Sequence, residues 1–478
     1  MTVPTTPDSP TAESGVSVQT RLIALVVAVT FFMENLDATV IATALPKMAA
    51  GFGVTAVDMN IGISAYLIAV AIFIPLSSWV ADRYGARRVF ASAIVIFTLA
   101  SLLCGLSQNL EMFVFARMLQ GVGGALMVPV GRLAVLRHTD KKDLVNMIAV
   151  ITWPGLVAPI LGPLVGGLIV THASWPWIFY INLPLGLLAL AATLWLVPAG
   201  RENNVRKFDG KGFVLLASAC ALILGGLEWL GGQDGNSLLT GAVLVAIGVV
   251  FSALAVRHCR NRPDALLPLT TMKFRTFRAS IYGGSLFRLA ISALPFLLPL
   301  LFQVGFGLSP VDAGSLVLAV FAGNLAMKPF TTPIMQRFGF RNVLLVNGVI
   351  GVVSIAACAA FTAQTPFWLI AAVLFLGGLS RSMQFSCYNT IGFADVPKAR
   401  MSEASALFSM FFQLAMGIGV TFAALLLRIS MAVQDHPVHA QPADFRVAFL
   451  GVALLGILGL IDVARLPKDA GASVLQRH

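Results

Sequence analysis

What this sequence has little of is charge. Of 478 residues only 11% are Asp, Glu, Lys or Arg, where a soluble globular domain carries about a quarter. Apolar residues make up 58%, and the mean hydropathy is +0.88. No set of water-soluble domains buries that much apolar chain, so the solvent for most of it must be lipid. The motifs of hydrolytic and nucleotide chemistry are missing as well. There is no GxxxxGK[ST], which leaves direct ATP hydrolysis through a P-loop unsupported. There is no HExxH, no GxSxG, and no pair of carboxylates placed for acid–base work outside the first apolar run. The five cysteines (Cys104, Cys220, Cys259, Cys358, Cys387) form no CxxC pair and fall mostly in apolar runs. They read as small apolar residues, so no disulfide framework, metal site or cofactor is expected. His172, His436 and His439 fall in loops without partners, and HPVH at 436–439 offers a two-ligand fragment that reads as solvated loop.

What is present is apolar runs of spanning length. A membrane-crossing helix needs about 20 mainly apolar residues. Such windows fall at 21–45, 58–80, 88–107, 110–135, 145–170, 178–198, 212–231, 238–257, 279–302, 313–336, 342–362, 367–390, 403–429 and 446–465, fourteen in all. The expected fold class is an all-α integral membrane protein. Residues 1–20, rich in Thr, Ser and Pro, read as a disordered cytoplasmic tail, and 467–478 as a second one. No cleavable signal is expected, since the run beginning at Leu22 is full length and continues into polar residues.

Orientation follows from Lys and Arg in the short loops. Arg83, Arg87 and Arg88 share one loop; Arg137, Lys141 and Lys142 another; Arg201, Arg206, Lys207 and Lys211 a third. Arg257, Arg260, Arg262, Lys273, Arg275 and Arg278 crowd a fourth, and Arg337, Arg341, Lys398 and Arg400 lie in two more. The other side offers little beyond Lys47 and Arg446. The basic side is expected to be the cytoplasm, with both termini there and 231–237 outside. The net charge of +11 is then topology, and no basic domain stands outside the membrane for nucleic acid to bind.

Two polar intervals, 201–211 and 257–278, divide the chain. They predict an N-terminal six-helix bundle over 21–200, two accessory spans and loops over 201–275, and a C-terminal six-helix bundle over 276–466. A weak internal repeat supports related halves. ADRYGARRV (81–89) and MQRFGFRNV (335–343) each follow the second span of a half, with an acid or amide, Arg, an aromatic, Gly, one residue and Arg. Internal repeats are how secondary transporters build a site between two rocking halves.

Charges inside spans are costly and mark function by default. Glu34 and Asp37 lie three apart on one face of the first span, about 20–24 Å from its basic end. Arg117 lies about 10 Å from the far end of the fourth, a depth that allows a pair with Asp37. Arg288 and Arg381 are deep cations of the second half, and Lys328 lies nearer the basic side. Glu34, Asp37, Arg117 and Arg288 are read as functional. Arg132 and Arg428 are read as snorkelling to an interface, Lys328 as either, and Glu228, beside Trp229, as interfacial. Gln120, Arg288, Arg381, Gln384 and Asn389 are the polar residues expected to line a substrate cavity. The fifth span carries Pro154, Gly155, Pro159, Gly162, Pro163, Gly166 and Gly167, a density that predicts a bent helix serving as hinge or close interface.

These segments resemble motifs of the major facilitator superfamily. ADRYGARR, with Asp82, Arg83, Gly85, Arg87 and Arg88, is similar to that family's conformational loop motif, with Ser78 at its leading Gly. FARMLQGVGGA (115–125) resembles the fourth-span motif, whose Arg, here Arg117, is linked to proton coupling. LGPLVGG (161–167), with Gly162, Pro163, Gly166 and Gly167 following Pro159, resembles the antiporter helix motif, with Ala158 at an upstream Gly. LDATVIATALP (36–46) resembles the first-span motif of the fourteen-span drug:proton antiporters, the EmrB/QacA type, with Asp37 at its Asp and Ala42 at its Asn. WPWIFYINLP (175–184), with Pro176 where Arg is usual, and SALFSMFFQLAMGIG (405–419) also resemble that group. Together the six cover residues 20 to 465. The resemblance implies the major facilitator fold: two six-helix bundles plus two extra transmembrane helices.

It also implies a proton-driven exporter of small amphipathic molecules in the inner membrane. The expected partners are a small-molecule substrate, protons and lipid, and the expected state is a monomer. Asp37 and Glu34 would carry the proton and Arg117 would tune them. A second reading keeps the transporter and changes the cargo to an endogenous organic anion, because Arg288, Arg381 and Lys328 outnumber acids in the second half. A membrane enzyme or scaffold leaves the buried charges unexplained.

Overall fold

The computed structural model describes residues 18–137, 144–200, 207–230, 237–260, 262, 265–266, 269–397, 400–434, 440–467 and 470–471. Every regular element among them is helical. The N-terminal bundle comprises α1 (Val18–Phe52), α2 (Asn60–Tyr84), α3 (Ala86–Leu106), α4 (Leu110–Arg137), α5 (Leu144–His172) and α6 (Trp177–Leu196). The accessory pair is α7 (Gly210–Leu230) and α8 (Ser237–Arg260). The C-terminal bundle comprises α9 (Arg275–Gly305), α10 (Pro310–Ala326 with Lys328–Phe338), α11 (Phe340–Cys358), α12 (Phe367–Ala394), α13 (Met401–Val433) and α14 (Pro442–Ala464). Twelve of these pass as spans on length and composition, and the two arms of α10 together make a thirteenth. The remaining one is α5, whose 29 residues carry no acidic or basic side chain between Leu144 and His172.

Proline chemistry explains where the spans depart from straight helices. A proline returns no N–H to the carbonyl four residues before it. Pro184 withholds a bond from Tyr180, and α6 breaks at Ile181. Pro295 does so at Ile291, and α9 breaks at Ala293 before a short helix and a π turn over Leu301–Gly305. Pro329 does so at Leu325, and the arms of α10 meet at 52°. By contrast α5 stays helical from Leu144 to His172 through Pro154, Pro159 and Pro163. Its glycines let α1 approach it closely. A Cβ at Gly155 would collide with Phe31, one at Gly162 with Thr39 and one at Gly166 with Thr43, all on α1.

Several other expectations shift. Helix α1 starts at Val18, so only residues before it are left for an N-terminal tail, and these lie outside the described residues, as do most of 467–478. It also runs through Pro46 to Phe52. His172 is the last residue of α5, not a loop residue. Residues 436–439, Lys141, Lys142, Lys398 and Asn236 lie outside the described residues.

The internal repeat is structural. Gly85 (φ 91°) links α2 to α3 and Gly339 (φ 73°) links α10 to α11, both in the left-handed region that favours glycine. Two residues beyond each, an arginine reaches the last helix of its own half. Arg87 donates to the Leu194 carbonyl of α6, and Arg341 Nη2 donates to the Ala464 carbonyl of α14 at 2.9 Å. Orphan carbonyls at helix C-termini carry partial negative charge, which explains why arginine is placed there. Arg83 and Arg88 are exposed, and Asp82 is half-buried.

The two bundles meet at the charge-poor end. One apolar cluster there joins α1, α4 and α5 to α9, α10, α13 and α14, through residues such as Val40, Ala44, Phe113, Leu297, Phe321 and Phe449. At the basic end the described residues form separate clusters for each bundle. The molecule is therefore closed at the charge-poor end. The closest approach is between α5 and α10: Gly167 faces the Pro310 carbonyl, and Gly314 faces that of Pro163. The motif residues Pro163 and Gly167 are thus an inter-bundle interface. The accessory hairpin packs on α2 and α13, at a second seam between the bundles. Its basic end is pinned by Asp209, which accepts from His258 Nε2 (2.8 Å), Gly212 N–H (3.0 Å) and Leu266 N–H (3.1 Å). Burial pushes the Asp209 carboxyl up, but those N–H groups and His258 outweigh it and hold it below the usual range.

This packing sets a test. A valine side chain at Gly167 would place Cβ 2.7 Å from the Pro310 oxygen, an overpacking worth about 1–3 kcal/mol. Gly167→Val is expected to lower the thermal unfolding midpoint in detergent, whereas Gly225→Ala, where nothing lies within 4 Å, is expected to hold or raise it. An unchanged midpoint for Gly167→Val would mean that α5 and α10 do not touch there.

Candidate functional site

The paired depth of Asp37 and Arg117 becomes a contact. Arg117 Nη1 lies 2.7 Å from Asp37 Oδ2, and both side chains are 1% exposed. The other carboxylate oxygen accepts from Gln120 Nε2 at 2.9 Å and Asn182 Nδ2 at 3.0 Å. Those amides share Ser101 Oγ as a further acceptor, at 2.9 and 3.3 Å. Arg117 is itself nearly satisfied: Nη1 also donates to Gln120 Oε1 (2.5 Å), Nε donates to the Gly62 carbonyl (3.2 Å), and its guanidinium sits 4.4 Å from the Tyr66 ring centre. The network draws on α1, α2, α3, α4 and α6. Gln120, expected to line a substrate cavity, belongs to this network instead and is fully buried.

Glu34 stands one turn away on α1 and is not in the ion pair. Its carboxyl and the Tyr66 hydroxyl both border Gly124 and face each other, and no other partner reaches Glu34 Oε2 or Tyr66 Oη. Tyr66 therefore lies between the two acids' surroundings, its ring on Arg117 and its hydroxyl toward Glu34. Asn182, Ser101 and Tyr66 carry no charge and were not singled out in the sequence. The one signal that could have found Asn182 is its place in WPWIFYINLP.

The C-terminal bundle holds the other deep cations. A cavity of about 40 Å³ inside it is lined by Arg381, Gln384 and Tyr388, with Gly348, Gly351 and Gly377 among the small residues. Arg288 is buried next to it, under Phe408 and Phe412. Asn389, expected with them, is exposed and is not among the lining residues. Lys328 is half-buried at the bend of α10.

A third cluster corrects the reading of Glu228 and Arg428 as interfacial side chains. Glu228 of α7 accepts at Oε1 from Asn60 Nδ2 (2.6 Å) and Ser64 Oγ (2.8 Å), both on α2. Its Oε2 lies 3.1 Å from Arg428 Nη1 of α13, and Arg428 Nη2 lies 3.3 Å from Asp58 Oδ1. Ser64 Oγ also meets Thr421 Oγ1 of α13 at 2.8 Å. One accessory-helix acid thus clasps both bundles at the charge-poor end. Depth along a single span could not reveal this, because three helices must converge to form it.

Fold and site together define a multi-pass helical membrane transporter of two six-helix bundles around buried charge. The chain belongs to the major facilitator superfamily, whose sequence model matches residues 27–420 and 280–477. It is 40% identical over 452 residues to the MdtD protein of Escherichia coli O9:H4 (strain HS), named as a candidate multidrug resistance protein, covering 94% of this chain and 95% of that one. The MdtD of Enterobacter sp. (strain 638) is 38% identical over 455 residues, with the same coverage. Among solved structures, a D-xylose–proton symporter superposes with a TM-score of 0.66 at 14% identity, covering 96% of this chain and 99% of that one. The peptide transporter PepTSo gives 0.68 at 15%, covering 93% and 97%. At such identities these structures share the fold.

The clasp is open to a double-mutant cycle. Glu228→Ala and Arg428→Ala are each expected to lower thermal stability in detergent. The double variant should lose less than the sum, with a coupling of about 0.5–3 kcal/mol. Strict additivity would mean that the pair contributes nothing.

Proposed function

We propose that this chain is a proton-coupled exporter of small amphipathic compounds, of the multidrug efflux type, working by alternating access. Its place is the inner membrane, with both termini cytoplasmic, and it works as a monomer. The observation that carries the reading is the buried Asp37–Arg117 pair with Glu34 one turn away. The names of the MdtD relatives support the cargo class. The crowding of Lys and Arg at one end supports the orientation.

The chemistry follows from the acceptor count at Asp37. Ionised, its two oxygens take three N–H donors; protonated, it has one oxygen fewer to offer and a hydrogen to donate. A proton on Asp37 therefore releases Arg117 from its counter-charge and removes an acceptor shared by α4 and α6. Glu34 lies one turn from Asp37, and Tyr66 meets Glu34 with its hydroxyl and Arg117 with its ring, so a second carboxylate stands by to hold a proton that leaves Asp37. With the bundles closed at the charge-poor end, substrate would enter between them from the cytoplasm. The loop residues Asp82, Arg83, Gly85, Arg87 and Arg88 would set the balance between the inward and outward states.

Two measurements test this. Single-cysteine labelling at Asn236 by an impermeant reagent is expected in intact cells; labelling only after permeabilisation would reverse the orientation. Asp37→Asn is expected to abolish proton-driven transport while keeping substrate binding, and Arg117→Ala to damage both coupling and pH dependence. If Asp37 only neutralises Arg117, breaking the pair costs about 3–5 kcal/mol and the variant should be depleted from the membrane. Normal amounts of Asp37→Asn that still export against a gradient would transfer the coupling role to Glu34.

A further inference from the structure

The two halves treat their deep arginines differently: Arg117 and Arg288 are buried, and Arg381 is half-buried. Arg117 has a carboxylate. Arg288 and Arg381 have none at ion-pair distance among the described residues. Arg288 is 1% exposed, and its one hydrogen bond runs from Nη1 to the Ser280 carbonyl at 3.3 Å, leaving Nε and Nη2 without partners. Arg381 leaves Nε and Nη1 without partners, and the adjacent Gln384 leaves Oε1 bare. Aromatic faces partly cover both cations. The Arg288 guanidinium lies 4.5 Å from the Phe408 ring centre and 5.3 Å from that of Phe412, and that of Arg381 lies 5.6 Å from Phe321 and 5.9 Å from Phe385.

Magnitudes decide what that cover achieves. A cation–π contact is worth much less than taking a charge out of water costs, and each unmet charged donor adds to that cost. The rings alone do not balance two guanidiniums. An anion would, and guanidinium donors fit a carboxylate's paired oxygens. The cavity beside Arg381 has the size of a head group: about 40 Å³ is room for a few waters or one carboxylate, not for a whole drug. Phe287, which lines the cavity, and Phe412 each meet Phe385 with ring centroids 5.7 Å apart, the first edge-on and the second tilted. The Phe385–Phe412 pair thereby bridges the surroundings of Arg381 to those of Arg288.

We infer that the C-terminal bundle holds a binding site for an organic carboxylate with an aromatic body, its head taken by Arg381 and its ring by Phe385 and Phe412, with Arg288 adding positive field. This rests on the exporter reading only in making the ligand cargo. The carboxylate supplies the counter-charge that the N-terminal bundle builds in as Asp37. Arg381 borders the cavity directly, and Arg288 completes the positive field from behind Phe412.

The test uses full-length protein, with 1-naphthoate as the probe and tetraphenylphosphonium as the cationic control. Calorimetric titration in detergent is expected to show naphthoate binding. Affinity should fall at least tenfold in Arg381→Gln and in Arg288→Gln, with partial recovery in Arg381→Lys. Without ligand, both Gln variants should unfold at the same or a higher temperature than the parent, since an unpaired buried cation is removed; a structural arginine would give the reverse. No naphthoate binding to the parent protein, or binding unchanged in both Gln variants, overturns the inference. So does full displacement by chloride or sulfate at equal concentration, which would make this an inorganic-anion site. Proteoliposome transport keeps the two readings apart. Tetraphenylphosphonium moved by a proton gradient without naphthoate binding sinks the site and spares the exporter. Naphthoate bound with neither probe moved sinks the exporter and spares the site.

Discussion

A charge placed in a dry helix bundle has to be answered within the bundle, and the Asp37–Arg117 pair is where this chain answers it. The idealised cost of burying one such ion is of order 20 kcal/mol, recovered only with close geometry and full hydrogen bonding. That requirement recruits Gln120 and Ser101 from α4 and α3, Asn182 from α6, and the Gly62 carbonyl and Tyr66 ring from α2. Five of the six N-terminal helices are thereby held in one mutual arrangement. A change in the charge of Asp37 would then change how those helices fit together.

The halves repeat one another in backbone more than in chemistry. Gly85 with Arg87, and Gly339 with Arg341, perform the same task at the same place: a left-handed glycine turns the chain, and an arginine two residues on caps the bundle's last helix. The repeat was legible because glycine and arginine are hard to replace there. The ion pair is not repeated. Among the described residues Arg288 and Arg381 have no acid at ion-pair distance, and the acid the C-terminal bundle does hold, Asp462, leaves Oδ2 buried beside Gly283 without a partner.

What the sequence made legible was what costs free energy one residue at a time. Span length, loop charge, and Asp37 and Arg117 at matching depth all follow from the price of polarity in lipid. What escaped was convergence. Asn182, Ser101 and Tyr66 are ordinary in any span, and only the fold turns them onto Asp37. Gln120 seemed a cavity residue because nothing in one helix shows which face meets α1. Glu228 and Arg428 seemed interfacial for the same reason: each lies near a helix end, and their partnership exists only where α2, α7 and α13 meet. The helix breaks were partly readable, since Pro184, Pro295 and Pro329 each precede a known loss of an N–H, yet α5 carries three prolines without interruption.

The accessory helices follow from the same rule of answered charge. Helix α8 packs chiefly on α7, while α7 reaches both bundles. A hairpin inserted between two halves of a moving protein could have been held by apolar contact alone, which would leave it indifferent to their motion. Glu228 prevents that. Its oxygens are divided between Asn60 and Ser64 of one bundle and Arg428 of the other. If α2 and α13 part at the charge-poor end, Glu228 must surrender one set, and the half-buried Arg428 must also leave Asp58, which sits just before α2. The hairpin thus adds an energetic term to opening that a twelve-helix arrangement of these bundles would lack, and it does so at the end where the apolar cluster already holds the bundles shut.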